Sequence, residues 1–423
     1  MEKLASLSID ELLRLKEEYK KEYEDFKALG LKLDMSRGKP SNEQLNLTNP
    51  MLDIMGSDVD FVGEANMDYR NYGILNGIPE ARRFLGEILD MDEKNIIAGG
   101  NSSLTMMFDT VSQGMTMGFG EGPWMLNEEN IFLCPVPGYD RHFKITEYFG
   151  IRMIPIEMTP DGPDMDEVER YVNNDKRVKG IWCVPMYSNP QGLTYSDETV
   201  RRFAALKPAA KDFRIFWDDA YCAHHFRTKK DTLLSLYDEC VKMGSEDMVF
   251  MFMSTSKISF PGAGIAAMAA SENNIKMLNS RMNIQSISPD KLNQLRHVRF
   301  FKDLAGVEAH MEKMATFIKP RFKIVMEKLK TLDGMDIIFY SEPRGGYFIS
   351  VDTLEGCAKR VCQLCKDAGL VLTSAGSTYP YGIDPKDRNI RIAPTYPTCD
   401  ELSKAMELFC VCVKLASVEK LLK

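Results

Sequence analysis

The chain has 423 residues, 44% hydrophobic and 27% charged, with a formal net charge of −8. That length supplies core material for two or three structural units. The mild acidic excess excludes a general nucleic-acid binder, which needs a basic face, and leaves room for a local cationic pocket. No apolar run approaches the ~18 to 20 residues that span a bilayer. Residues 1–6 lack the charged-then-apolar pattern of a secretory leader. Ten cysteines are scattered, many within apolar runs, and the lone CxxC at Cys362 and Cys365 reads as helix packing. A reducing cytoplasm is therefore the expected compartment.

In chain order, residues 7–29 predict a capped amphipathic helix that Gly30 ends. Residues 31–49 are irregular and carry Ser36-Arg37-Gly38-Lys39-Pro40. A helix follows over 79–90, opened by Pro79. Short apolar strands then alternate with helical segments: 95–98, 131–134, 152–156, 180–185, 215–217 and 248–253. This rhythm predicts a largely parallel, buried sheet with helices on both faces. After about residue 285 the pattern changes to a long helical stretch over 290–332, interrupted near Pro320. Strand-like runs at 335–340, 347–351, 370–373 and 389–392, a helix at 355–368 and a last helix from 399 complete an α+β unit. The N-terminal segment is expected to pack against it.

In parallel sheets chemistry gathers at the carboxyl ends of the strands. Asn101, Tyr139, Asn189, Asp218 and Lys257 all fall there. Lys257 follows an apolar strand ending in Ser254-Thr255-Ser256 and precedes a Gly-rich turn. A buried ammonium is costly, but a lysine consumed as a Schiff base with a carbonyl cofactor is not. A pyridoxal phosphate site also needs a carboxylate at the ring nitrogen, donors to the phenolic oxygen, an aromatic face and a phosphate cradle. Asp218, in Phe216-Trp217-Asp218-Asp219-Ala220-Tyr221, suits the first, although it would equally cap a helix. Asn189, in Asn189-Pro190-Gln191-Gly192, also reads as a turn. Gly99-Gly100-Asn101-Ser102-Ser103 opens a helix whose N–H groups suit a phosphate, or is a plain cap.

Taken together, these motifs resemble the fold-type I pyridoxal phosphate-dependent aminotransferases. Arg37-Gly38-Lys39-Pro40-Ser41, Tyr69-Arg70-Asn71-Tyr72-Gly73, Pro135-Val136-Pro137-Gly138-Tyr139-Asp140-Arg141-His142 and Ser254-Thr255-Ser256-Lys257 resemble one divergent branch, subgroup Ic of the aspartate aminotransferases. The resemblance spans nearly the whole chain. It implies an α/β fold, with a large domain around a mainly parallel seven-stranded sheet and a smaller α+β domain. The expected divisions are 1–50 joining the small domain, 51–315 for the large domain and 316–423 for the small one. It implies a homodimer using pyridoxal 5′-phosphate, an amino acid and a 2-oxo acid, with no nucleic acid and no membrane.

The same resemblance implies roles for individual residues. Lys257 would carry the Schiff base and then shuttle the proton. Asp218 would pair with the ring nitrogen, supported by His142. Asn189 and Tyr221 would donate to the phenolate, and Tyr139 would stack on the ring. Asn101, Ser102, Ser103 and Ser254 would hold the phosphate, joined by Tyr72 from the partner subunit. Arg391 would clamp the substrate α-carboxylate, with Gly38 and Asn189 nearby. One departure matters. Many family members place a phosphate-binding arginine eight residues after the lysine, where this chain has Ile265.

The implied reaction is transfer of an amino group from L-aspartate to 2-oxoglutarate. Arg37, Lys39, Arg296, His297 and Arg299 are the cations considered for the distal carboxylate. An aminotransferase for alanine or aromatic amino acids, or a β-C–S lyase, would use the same scaffold. A non-catalytic module that senses amino acids is a third class, expected to carry a fused helix-turn-helix domain for which this sequence leaves no spare N-terminal length.

Overall fold

The computed structural model describes residues 3–226 and 230–423. Its centre is a sheet of eight strands in the order Ile96–Ala98, Ala266–Ala270, Val249–Ser254, Arg214–Asp218, Val178–Cys183, Ile131–Val136, Arg152–Thr159, Gly162–Pro163. The four pairings from Val249–Ser254 across to Arg152–Thr159 are parallel. The expected seven strands gain an eighth because Gly162, at φ +130°, lets Gly162–Pro163 fold back on Met158 and Thr159. Ala266–Ala270 pairs antiparallel on both sides, so Ile96–Ala98 runs in the direction of Val249–Ser254. The carboxyl ends of six strands therefore open on one edge.

The central strands are buried on both faces, as near-continuous apolar runs require. Two apolar clusters cover them. One holds Trp217, Met251 and Phe203; the other holds Phe132, Trp182, Phe216 and Phe250. Gly180 is needed in this layer because a Cβ there would enter the Phe132 ring.

A third cluster joins the N-terminal helix Ile9–Ala28, through Leu12, Tyr19 and Tyr23, to the C-terminal helices Ala358–Asp367 and Cys399–Leu421. Ser8 and Glu11 form the capping box that starts the first helix, and Gly30 follows its end at φ +61°. Leu33–Met35 then pairs in parallel with Leu370–Leu372. The N-terminal segment packs on the C-terminal elements as expected. A three-stranded antiparallel sheet, Ile338–Tyr340, Ile349–Thr353, Asn389–Ile392, carries Arg391 on its edge strand.

The long helical stretch breaks elsewhere than expected. Helices Lys291–Phe301 and Leu304–Leu329 are separated at Lys302, which sits at φ +70°, and Asp303 caps the second by accepting from the Gly306 N–H. Pro320 lies inside the second helix. It is exposed, and so is Thr316, whose carbonyl loses its helical donor; that turn faces solvent, and the helix continues. Val307, Met311 and Met314 of this helix enter the large-sheet core, whereas Ile318, Phe322, Val325 and Leu329 enter the third cluster.

Candidate active site

The strand ends bring the expected residues together. Asp218 ends the strand Arg214–Asp218 and is buried. Its Oδ2 lies 3.0 Å from His142 Nε2, while its Oδ1 is buried without a partner. The His142 ring stacks on Trp182 at 4.4 Å and 9°, and Tyr139 meets its edge at 5.0 Å. Trp182 Nε1 donates to Thr146 Oγ1 at 2.8 Å, and that hydroxyl donates to the His142 carbonyl at 2.9 Å. Each neighbour fixes the imidazole, so the carboxyl edge it leaves free is also fixed.

Lys257 closes the short 3₁₀ turn Thr255–Lys257 after the strand Val249–Ser254. Its Nζ stands 4.8 Å from the centroid of the Tyr221 ring and has no hydrogen-bond partner among the described residues. Burial lowers its pKa, against the opposing pull of Asp218. A lowered pKa enlarges the neutral, nucleophilic fraction of the amine. Burial pushes the Tyr221 hydroxyl well above its ordinary range, and Tyr139 up to about 12, so both remain donors. Asp219, beside Asp218, is pushed up to about 7 by burial and then by its neighbour's charge.

Arg391 is buried and reaches across from the small sheet. Its Nη1 donates to Asp140 Oδ1 at 3.0 Å and to Asn189 Oδ1 at 3.3 Å. The second contact fixes the Asn189 amide, whose NH₂ is then turned away from the guanidinium. Arg391 Nε is buried without a partner, and the guanidinium lies 4.8 Å over the Phe348 ring. Gly38 packs under that ring, since a Cβ there would come within 2.6 Å of Phe348 Cζ. Phe348 is brought in by Gly345 and Gly346. The Gly346 N–H donates to the His224 carbonyl at 2.9 Å, and a Cβ on Gly345 would stand 2.6 Å from the Tyr187 ring.

At the other end of the site, Ser102 caps the helix Ser103–Thr116. The first N–H groups of that helix have no partner within it. Ser254 Oγ donates to Ser256 Oγ at 3.0 Å, Ser256 Oγ to the Asn101 carbonyl at 3.1 Å, and Asn101 Nδ2 to the Pro261 carbonyl at 3.2 Å. These bonds tie the helix N-terminus to the lysine turn. A Cβ on Gly100 would meet nothing within 4 Å, so the concavity is open. A groove of about 270 Å³ runs from Gly99 and Ser102 along this helix to Ser286 and Pro289. Ile265 is buried in the large-sheet core, and its N–H donates to Thr255 Oγ1 at 2.9 Å. No cation stands at that position.

A family model described as aspartate amino-transferase matches residues 7–423. The chain belongs to the aspartate aminotransferase family. An aspartate aminotransferase of Corynebacterium glutamicum is 41% identical over 406 residues, covering 95% of this chain and 94% of that protein. The crystal structure of an aspartate transaminase from Corynebacterium glutamicum matches with a TM-score of 0.96 at 40% identity, covering 99% of each chain. The kynurenine aminotransferase of Pyrococcus horikoshii, solved with PMP, shares the fold at 20% identity, with a TM-score of 0.74 over 90% of each chain.

Two of the residues placed by the resemblance in this aminotransferase stand apart from the cluster or at its rim. Tyr72 is 73% exposed, and Asn101 is exposed beside the helix start. Sequence reasoning missed Asp140, Arg141, Ser256 and Phe348 as parts of the site. Asp140 and Arg141 lay within a quoted motif, but only the fold shows that Asp140 meets Arg391. Three of the cations considered for a distal carboxylate are otherwise engaged. Arg299 donates to the Asp60 carbonyl, Arg296 to the Ala263 carbonyl, and His297 is fully buried, with its pKa lowered to about 4 by burial. Among the described residues of the aminotransferase, no helix is long and apolar enough to cross a membrane.

Proposed function

We infer that this aminotransferase carries the amino group of L-aspartate to 2-oxoglutarate, giving oxaloacetate and L-glutamate in two half-reactions on pyridoxal 5′-phosphate. The observation that carries the cofactor reading is that one site holds both Lys257 Nζ, without a hydrogen-bond partner among the described residues, and the buried, unpartnered Asp218 Oδ1. When bound, pyridoxal phosphate supplies an aldehyde for the amino group and a ring that delocalises the charge left at Cα. Lys257 would hold that aldehyde and, once released, carry the proton to and from Cα. Asp218 would bond the ring nitrogen, held by His142. Asn189 and Tyr221 would donate to the phenolic oxygen, and Tyr139 would cover the ring.

Hydroxyls and N–H groups suit the phosphate where Ile265 replaces a cation. Asn101, Ser102, Ser103 and Ser254 would serve, with Ser256 added by its contacts. Tyr72 would join from the partner subunit of a homodimer. Its exposure, with that of Ile284 and Ile287 near the groove, supports such an interface. Arg391 would clamp the α-carboxylate next to Gly38 and Asn189. Arg141 is the cation favoured for the distal carboxylate, because its Nε lies 3.9 Å from Asp140 Oδ2, across the carboxyl that Arg391 grips. The clustering of apolar residues supports a division into 1–50, 51–315 and 316–423. The ten free cysteines support a reducing cytoplasm.

Absorbance spectroscopy with a panel of amino donors tests this reading. A visible band that shifts when aspartate is added supports it. Preference for alanine, tyrosine or leucine over aspartate overturns the specificity. Ammonia and pyruvate released without an oxo acid would mark a β-C–S lyase instead.

A further inference from the structure

The turn that carries Lys257 is short and leaves its own polar groups unpaired. Thr255 O accepts the Ile258 and Ser259 N–H groups at 2.9 and 2.7 Å, and the chain then leaves towards Pro261. Neither the Lys257 nor the Ile258 carbonyl accepts a backbone N–H among the described residues. A short 3₁₀ turn ending this way frays unless side chains satisfy its carbonyls.

Two of the five histidines in the chain supply those partners and a third bonds the residue that follows, each from a different element. His224 Nε2, in the loop after Asp218, lies 3.3 Å from the Lys257 carbonyl. His310 Nε2, on helix Leu304–Leu329, lies 2.9 Å from the Ile258 carbonyl. His297 Nε2, on helix Lys291–Phe301, lies 2.9 Å from Ser259 Oγ. The contacts fall on residues 257, 258 and 259, and His297 Nε2 also lies 3.3 Å from Thr255 Oγ1 at the start of the turn.

The partners also assign each tautomer. A carbonyl oxygen only accepts, so His224 and His310 carry their proton on Nε2. His297 Nδ1 donates to the Asn293 carbonyl at 2.8 Å, so its Nε2 accepts from Ser259 Oγ. All three rings are buried among aromatic neighbours: His224 edge-on to Tyr347 at 5.4 Å, His310 to Phe301 at 5.3 Å, and His297 tilted against Phe301 at 6.3 Å. Apolar side chains would fill these places without the cost of burying an imidazole. What the histidines add is direction, because each bond is aimed at the turn.

We propose that His224, His297 and His310 form a collar of positioning residues that fixes the Lys257 backbone, and thereby aims its amine at the cofactor aldehyde. The proposal rests on Lys257 being the lysine that holds the cofactor. His310 is the cleanest member to test, since it meets the Ile258 carbonyl and the rings of Phe300 and Phe301, none of them placed on the cofactor or substrate. Burial holds His224 at about 3 and His297 at about 4, and lowers His310, which keeps each ring neutral with a single N–H.

The experiment compares wild-type, H310A and H310Q holoenzymes, because the glutamine amide places a donor where Nε2 stood. The readouts are kcat, KM for the amino donor, the pH midpoint of the visible band, and the rate of borohydride trapping on Lys257. The expected result for H310A is a kcat lowered roughly 10- to 100-fold, with KM nearly unchanged, as displacement of a reacting group by a fraction of an ångström would produce. Its band midpoint shifts and trapping slows, and H310Q recovers both. Where H310A does not fold, H310N against H310Q makes the same comparison, since asparagine is too short to reach the Ile258 carbonyl. Wild-type kinetics and titration in H310A, or H310N and H310Q behaving alike, overturn the collar. An unlabelled Lys257 in the wild-type protein overturns both the collar and the cofactor reading beneath it. A labelled wild type with unaltered variants overturns the collar alone.

Discussion

His142 Nε2 holds Asp218 Oδ2 at 3.0 Å and leaves Oδ1 buried and unpartnered. One oxygen is anchored by the protein and the other is presented to the cleft. Asp218→Asn keeps the volume but would place an amide where the proposed cofactor's ring nitrogen sits. The expected loss in kcat is roughly 10²- to 10³-fold, by analogy with removal of a preorganised electrostatic partner. His142→Ala removes only the support, and a smaller loss, roughly 10-fold, is expected. Single-turnover kinetics with aspartate checks the order of the two.

Arg391 and Arg141 both contact Asp140, at 3.0 and 3.9 Å. Arg391→Lys loses the planar fork, so KM for aspartate and for alanine should rise together by roughly 10- to 100-fold. Arg141→Gln should raise KM for aspartate and 2-oxoglutarate while leaving alanine unaffected. Steady-state kinetics with mono- and dicarboxylic donors separates these patterns. Equal effects on both donor classes in the Arg141 variant would remove it from the distal site.

Gly38→Ala pushes Phe348 away from the guanidinium it covers at 4.8 Å. The lost cation–π contact predicts a rise in KM of roughly 2- to 5-fold. kcat should change less than KM, because the atoms nearest a Cβ at Gly38 belong to Phe348 and Tyr347 and not to the Lys257 turn.

Acid should destabilise the fold through its buried histidines. His224 is lowered to about 3 and His297 to about 4, in each case mainly by burial. The unfolded chain binds these protons near the ordinary value of about 6.5. Between pH 6.5 and 4 the unfolded state therefore holds more protons, and stability falls as pH falls through that window. It is fully present above it. Thermal unfolding across pH 4 to 7 should show Tm dropping on the acid side, with a shallower slope for His297→Gln.

The lysine turn was legible because an apolar run, 248–253, ends in three hydroxyl residues before a lysine, and no strand interior tolerates that sequence. Ala266–Ala270 was not foreseen. Alanine has little strand preference, and this segment becomes a strand only by filling the narrow gap between two partners. The Asp140–Arg391 contact joins residues 251 positions apart, and no local pattern announces it. Pro320 misled in the opposite direction. A proline signals a break only where its lost hydrogen bond is sheltered from water, and here that bond faces solvent.

Every imidazole in this protein is already engaged: His142 with Asp218, His225 with the Tyr187 hydroxyl, and the remaining three with the residues beside the lysine. Among the described residues no imidazole is thus left without a partner in the interior. On the proposed reading the amine of Lys257 would carry the proton, and the imidazoles would serve as scaffolding.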